Sequence, residues 1–227
     1  MNNLFKNLRL IFQNFKFPSR KALLDSYPVI SNDRTGYLLI LLLAIITGLS
    51  NVLVNKFLPI KIFNSVGKIL DKNDLGGLGD YFQKNYSPNL LKYFFVGFIM
   101  FLIVLLFCAV LAYAIRTNLF KNKENFYTLL KSSVLPLVPS VVFGLIASIA
   151  VSFSLLIYVA FLIAAITSFV IYYFNHLNNI TQLSKDKLCF VCSILCLLII
   201  LFVAKVNINR DIASAFINPI ENIINSI

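Results

Sequence analysis

From Ser132 to Ser184 the chain runs for fifty-three residues without an Asp, Glu, Lys or Arg. One bilayer crossing takes ~20 apolar residues, so this run is too long for a single helix and fits two crossings. A very tight turn near residues 151–154 joins them. The first of the pair carries Pro136 and Pro139, and the second carries Ala160, Ala164 and Ser168 at four-residue spacing. A chain organised around such a hairpin is expected to be an all-α integral membrane protein.

The composition agrees. The sequence is 59% hydrophobic, and its mean hydropathy of +0.85 lies far outside the range of a soluble domain. The net charge of +11 would hold membrane-flanking segments against anionic lipid. Nucleic-acid binding is not expected, because the basic residues are scattered among loops instead of gathered on one folded module. Cys108, Cys189, Cys192 and Cys196 all lie in apolar segments, which indicates no disulfide framework. Abundant Asn, Lys, Ile and Phe point to an AT-rich genome, and a bacterial plasma membrane is the expected location. No cleavable signal is expected, since the first apolar run begins only near Tyr37.

Taken in order, residues 1–36 form a cytoplasmic amphipathic segment. Leu4, Leu8, Ile11, Phe12 and Phe15 fall on one helical stripe, and Pro18 ends it. Such a helix lies in the membrane interface, with Lys6, Arg9, Lys16, Arg20 and Lys21 as the candidate lipid-surface contacts. Packing on the chain's own membrane domain is the alternative. Five crossings are expected, at about residues 37–54, 93–115, 132–151, 154–174 and 188–204, within a membrane domain of residues 37–204. Residues 55–92 form the one sizeable loop, with a separate amphipathic surface helix over 62–72 and a glycine hinge at Gly76, Gly77 and Gly79. Tyr93, Phe94 and Phe95 read as an interfacial aromatic belt opening the second crossing, and Tyr172, Tyr173 and Phe174 as one closing the fourth. Residues 205–227 make a tail that rests on the surface.

Basic residues set the orientation. With the N-terminus inside, cytoplasmic segments hold twelve of them and outer segments eight. Five crossings then leave the C-terminus outside.

Side chains that could carry chemistry are few. Cys189, Cys192 and Cys196 share one helical face, but a zinc site normally needs a fourth ligand and none is nearby in sequence. They read as small packing residues, with lipidation of Cys189 or metal or redox chemistry as alternatives. His176, the one histidine, reads as a solvated residue at a helix end. All nine acidic residues fall outside the expected spans, which leaves proton-coupled transport and intramembrane metalloproteolysis without their usual ionisable groups. A serine nucleophile at Ser132, Ser133, Ser140 or Ser148 would need a base, and the sequence places none beside them. No catalytic residue, cofactor or metal site is therefore expected.

Pro136 and Pro139 predict a kink or local opening early in the third crossing, because each removes a donor to the carbonyl four residues earlier, those of Ser132 and Leu135. Ser132, Ser133 or Ser140 could satisfy the freed carbonyls. Small residues at four-residue spacing mark expected helix contacts: Ala44 with Gly48, Gly144 with Ser148, and Ala160 with Ala164 and Ser168.

The stretch NFYTLLKSSVLPLVPSVVFGLIASI, residues 125–149, has an aromatic-bearing amphipathic turn leading into a Ser-x-x-x-Pro span. With a cytoplasmic N-terminal segment, five crossings, a nearly loopless hairpin and an outer C-terminus, the chain resembles the bacterial relatives of the Yip family of Rab-interacting membrane proteins over roughly residues 93–204. The resemblance implies a non-enzymatic membrane adaptor or organiser. The acidic cytoplasmic motif of eukaryotic members has no clear counterpart here, so GTPase binding does not follow.

The expected function is adaptor or organiser work through membrane lipids and another membrane or membrane-associated protein. The rivals are a transporter subunit or small-solute permease, which requires a polar cavity at the Pro136–Ser140 kink, and a receptor for, or immunity factor against, membrane-active peptides.

Overall fold

The computed structural model describes Asn7 and residues 33–71, 86–120, 125–180 and 184–207. These form six helices: α1 Asp33–Asp71, α2 Leu90–Phe120, α3 Phe126–Ser132, α4 Leu137–Ala150, α5 Leu155–Ile180 and α6 Lys185–Asn207. Three are long and apolar enough to cross a membrane, at Arg34–Ile62, Leu90–Thr117 and Leu155–Ile180, and the bent pair α3–α4 makes a fourth if read as one span. The chain is thus an all-helical integral membrane protein over the described residues. The fifth expected crossing falls within α6, which is not among these candidate spans. The amphipathic segment with Lys6, Arg9, Lys16, Arg20 and Lys21, the glycine hinge and the tail beyond residue 207 lie outside the described residues. Asn7 is the exception, and its amide donates to the buried Thr35 hydroxyl at 3.4 Å.

The first helix departs from expectation. It continues through Pro59 to Asp71, so there is no break where a loop and a separate surface helix were predicted. A proline inside a helix leaves the carbonyl four residues back without its donor, usually at a cost of ~3 kcal/mol. Here that carbonyl belongs to Asn55, and the Tyr86 hydroxyl donates to it at 2.6 Å. Tyr86 comes from the segment entering α2, so a contact distant in sequence replaces the local bond that proline deletes.

Helices α1 and α2 cross closely at two glycines. A Cβ on Gly97 would sit 2.6 Å from the Asn51 Cβ and 2.9 Å from the Thr47 carbonyl oxygen. One on Gly48 would meet the Phe94 ring at 2.9 Å. The Asn51 amide then donates to the Tyr93 carbonyl at 2.7 Å, a bond between helices that only such an approach permits.

The kink in the hairpin is real: α3 and α4 are bent by 41° across the turn at 133–136. The expected serine rescue of the freed carbonyls does not occur. The Ser132 carbonyl accepts from Leu135 N–H at 3.2 Å, and the Leu135 carbonyl from Val138 N–H at 3.2 Å. The backbone tightens to three-residue bonds, and the serine hydroxyls are left for other work. Lys131 through Pro139 are buried without interruption, because the break passes through the middle of the bundle between α1, α2 and α5. Irregular backbone at membrane depth is tolerated only where protein covers it, and this covering provides that.

The turn joining α4 to α5 falls at residues 151–154 as expected. It closes with Ser154 N–H on the Ala150 carbonyl at 2.8 Å, and the Ser152 hydroxyl takes the Ile149 carbonyl at 2.7 Å. Helix α5 runs six residues past its expected end, through Asn175 and His176 to Ile180, so most of the predicted polar link is helix. The main core gathers Leu39 and Leu43 of α1, Phe101 and Leu105 of α2, Val134 to Val138 of the break, Phe169 to Leu177 of α5, and Leu188 and Cys192 of α6.

Candidate functional site

Two features inside the bundle have the polar groups or the space that function needs. The first is a polar cluster at the Arg34 end. The extension of α5 turns His176 inward, where it is fully buried, contrary to the solvated position expected of it. Its Nε2 lies 3.4 Å from the hydroxyl of Ser133, which the kink has freed from backbone duty. One turn earlier, Tyr173 donates its hydroxyl to the Cys108 carbonyl at 2.9 Å and stacks on Phe169 with ring centroids 5.6 Å apart. The predicted aromatic belts are thereby corrected. Tyr93, Tyr172 and Tyr173 are all buried, with their rings packed among the helices instead of facing lipid headgroups, while Phe95 alone of the first trio is exposed.

A serine with a histidine at its hydroxyl is the pairing that nucleophilic catalysis uses. Here both residues are 0% exposed, so no acyl substrate can approach the hydroxyl. The geometry serves instead to pin α5 against the break: Ser133 Oγ and His176 Nε2 meet one another inside the core.

The second feature is a cavity of about 450 Å³ in the other half of the bundle, bounded by α1, α2, α4, α5 and α6. Its α1 wall presents Thr47, Ser50, Asn51 and Asn55, and Ser140 and Tyr158 add two hydroxyls. The rest is apolar, including Val54, Phe101, Val141, Leu162, Ile166 and Ile199. None of the described lining residues is charged. Most of the α1 polar groups are already engaged: Thr47 donates to the Leu43 carbonyl at 2.8 Å, Asn51 to Tyr93, and Asn55 to the Asn51 carbonyl at 2.9 Å and its Oδ1 at 3.0 Å. The Ser50 hydroxyl is buried without a hydrogen-bond partner.

The small residues singled out in the sequence divide. Ala44, Gly48, Ser148 and Ser168 are buried at helix contacts. Gly144 is not a packing position, since a Cβ there would meet nothing within 4 Å, and Ala160 is exposed while Ala164 is half-buried. The stripe fails because the buried face of α5 passes through Ala165, one residue round the helix from Ala164. Pro136 and Pro139 sit at the break and at the start of α4, both buried. Of the cysteines, Cys189 is exposed, Cys192 is buried in the core and Cys196 lines the cavity. Among the described residues no group of His, Cys, Asp or Glu is placed to hold a metal ion.

The residues missed in the sequence are Asn51, Asn55, Ser50 and Gly97. A signal existed for the first three: four polar side chains from Thr47 to Asn55 interrupt an uncharged span, and two asparagines four apart share a helix face. Compared with known protein families, with curated proteins and with solved structures, the chain matches none.

Proposed function

We propose that this protein is a non-enzymatic multi-pass membrane protein that acts as an adaptor or organiser by binding lipid and a membrane partner. The observation that carries this reading is the character of its internal cavity. A site of about 450 Å³ falls within the roughly 300–1,000 Å³ of small-ligand sites, yet no charged group lines it. Such a wall suits hydrocarbon and disfavours an ion or a small polar solute, which would have to shed water without adequate replacement. The permease reading required a polar cavity at the kink; Leu137 and Ser140 of that stretch do line this cavity, but its polar side chains are uncharged and most of those on α1 are already engaged with one another or with backbone. The sealed Ser133–His176 pair weighs against hydrolysis in the same way. The Yip-like layout supports an adaptor, with residues 1–36 and the basic stretch at 116–125 facing cytoplasmic partners.

In this reading α6 is the fifth crossing, the N-terminus is cytoplasmic and the membrane is a bacterial plasma membrane. A reporter fused after Ile227 should therefore be accessible only from outside the cell; a cytoplasmic reporter would remove the five-span topology. The functional test is native co-purification in mild detergent followed by mass spectrometry. A membrane or membrane-associated protein at constant stoichiometry is the expected result. Recovery of the chain alone, together with altered sensitivity to membrane-active peptides on gene deletion, would replace the adaptor with peptide reception or immunity.

A further inference from the structure

We infer that the cavity is a binding site for one acyl chain of a membrane phospholipid, entered sideways from the bilayer, with the lipid's uncharged ester linkage hydrogen-bonded at Ser50. This rests on the lipid-binding part of the proposed function and names its ligand. Three observations converge on it. Apart from the polar groups of α1, Ser140 and Tyr158 the walls are apolar, and none of the described lining residues is charged, which fits a hydrocarbon chain and leaves no place for a phosphate inside. Leu162 of α5 and Ile200 of α6 line the cavity and are also exposed, at 37% and 41%, so the space opens where these two helices face the bilayer. Phe169 to Leu177 of α5 and Leu188 to Leu195 of α6 share the core toward the Ile180–Lys185 end, and the cavity lies toward the other end of the pair, between Tyr158 to Ile166 and Cys196 to Ile200.

The third observation concerns polarity. Ser50 has a buried hydroxyl with no hydrogen-bond partner, while Thr47, Asn51 and Asn55 around it are all engaged. A buried donor left unmade is unfavourable and rare, and a ligand carbonyl reaching the α1 wall would complete it. An ester is the one hydrogen-bonding group that a phospholipid carries directly next to its acyl chain. The hydrocarbon beyond it then runs among Val54, Phe101 and Ile166.

The test uses the full chain in detergent with a phosphatidylglycerol bearing a diazirine in one acyl chain, photolysed and mapped by mass spectrometry. Saturable adducts are expected on the cavity wall at Val54, Phe101 or Ile166, competed by unlabelled long-chain phosphatidylglycerol. Outward positions such as Ile163 and Leu197 should label without saturation, as any lipid-facing residue would. Ser50→Ala keeps the shape and should weaken competition roughly fivefold, the effect of one net hydrogen bond. Val141→Phe, filling the space, should abolish the saturable adducts while leaving Ile163 labelling unchanged. Non-saturable labelling alike at cavity and outward positions overturns the site. Competition by free long-chain fatty acid but not by phospholipid overturns the ligand. A chain that still co-purifies with a stoichiometric protein but gives no saturable adduct loses this inference alone and keeps the adaptor reading.

Discussion

Gly97→Ala is expected to separate α1 from α2 and destabilise the bundle by ~1–3 kcal/mol, the usual range for forcing an added methyl into a packed interface. The upper end applies, because the new Cβ meets no flexible side-chain tip. It would lie 2.6 Å from the Asn51 Cβ, 2.9 Å from the Thr47 carbonyl oxygen and 3.1 Å from the Gly48 Cα, so the two backbones must move apart. That movement also stretches the 2.7 Å bond from Asn51 to the Tyr93 carbonyl. Thermal melting in detergent should fall by several degrees, at roughly 2–4 °C per kcal/mol for a chain of this size. Gly144→Ala supplies the matched control: it adds the same atom where nothing lies within 4 Å. Alanine is the better helix former by ~1 kcal/mol, so this variant should melt at or above the parent temperature. If both variants melted alike, the close crossing of α1 and α2 would be wrong.

His176→Ala is expected to be as damaging, at ~2–5 kcal/mol, since it removes a fully buried ring from beside the break and leaves the surroundings only partly able to collapse. Part of that loss is volume and part is the partner taken from Ser133. His176→Leu separates the two by restoring bulk while still depriving the Ser133 hydroxyl, at a cost of ~1–3 kcal/mol. Adding Ser133→Ala to His176→Leu should then recover about 1 kcal/mol or more, because replacing both partners of a buried hydrogen bond by apolar groups can be nearly neutral. Additive losses would show that the 3.4 Å contact is not a working bond. The cycle also bears on chemistry. A fluorophosphonate that labels the parent chain but not Ser133→Ala would mean the hydroxyl is reachable and nucleophilic, and the purely structural role would fall.

Both predictions concern positions whose meaning depends on neighbours far along the chain. The membrane class, the hairpin and its turn, and the kink at Pro136 and Pro139 could all be read directly. Hydropathy along a stretch of this length admits few alternatives in lipid, and proline's missing donor acts on its own carbonyl four residues back. What happens to that carbonyl was not legible. At Asn55 a tyrosine thirty-one residues away supplies the donor, so Pro59 sits inside a continuous helix where the local sequence reads as a loop.

Helix facing was the main thing the sequence left open. In a soluble helix the apolar stripe marks the buried face, but in lipid both faces are apolar and periodicity loses its contrast. Gly48 and Gly144 look alike in the sequence; only the approach of α2 makes one a contact and leaves the other in open space. Tyr93, Tyr172 and Tyr173 have the composition of an interfacial belt, and His176 that of a solvated end. All four are buried, because helix ends extend and rotate to carry them inside the bundle, where Tyr173 reaches the Cys108 carbonyl and His176 the Ser133 hydroxyl. Composition and proline chemistry thus settled that this chain crosses a membrane and where it bends. Tertiary packing alone decided which small residues touch, which polar groups meet, and that an uncharged cavity remains between the helices, since each of these is a property of several helices at once.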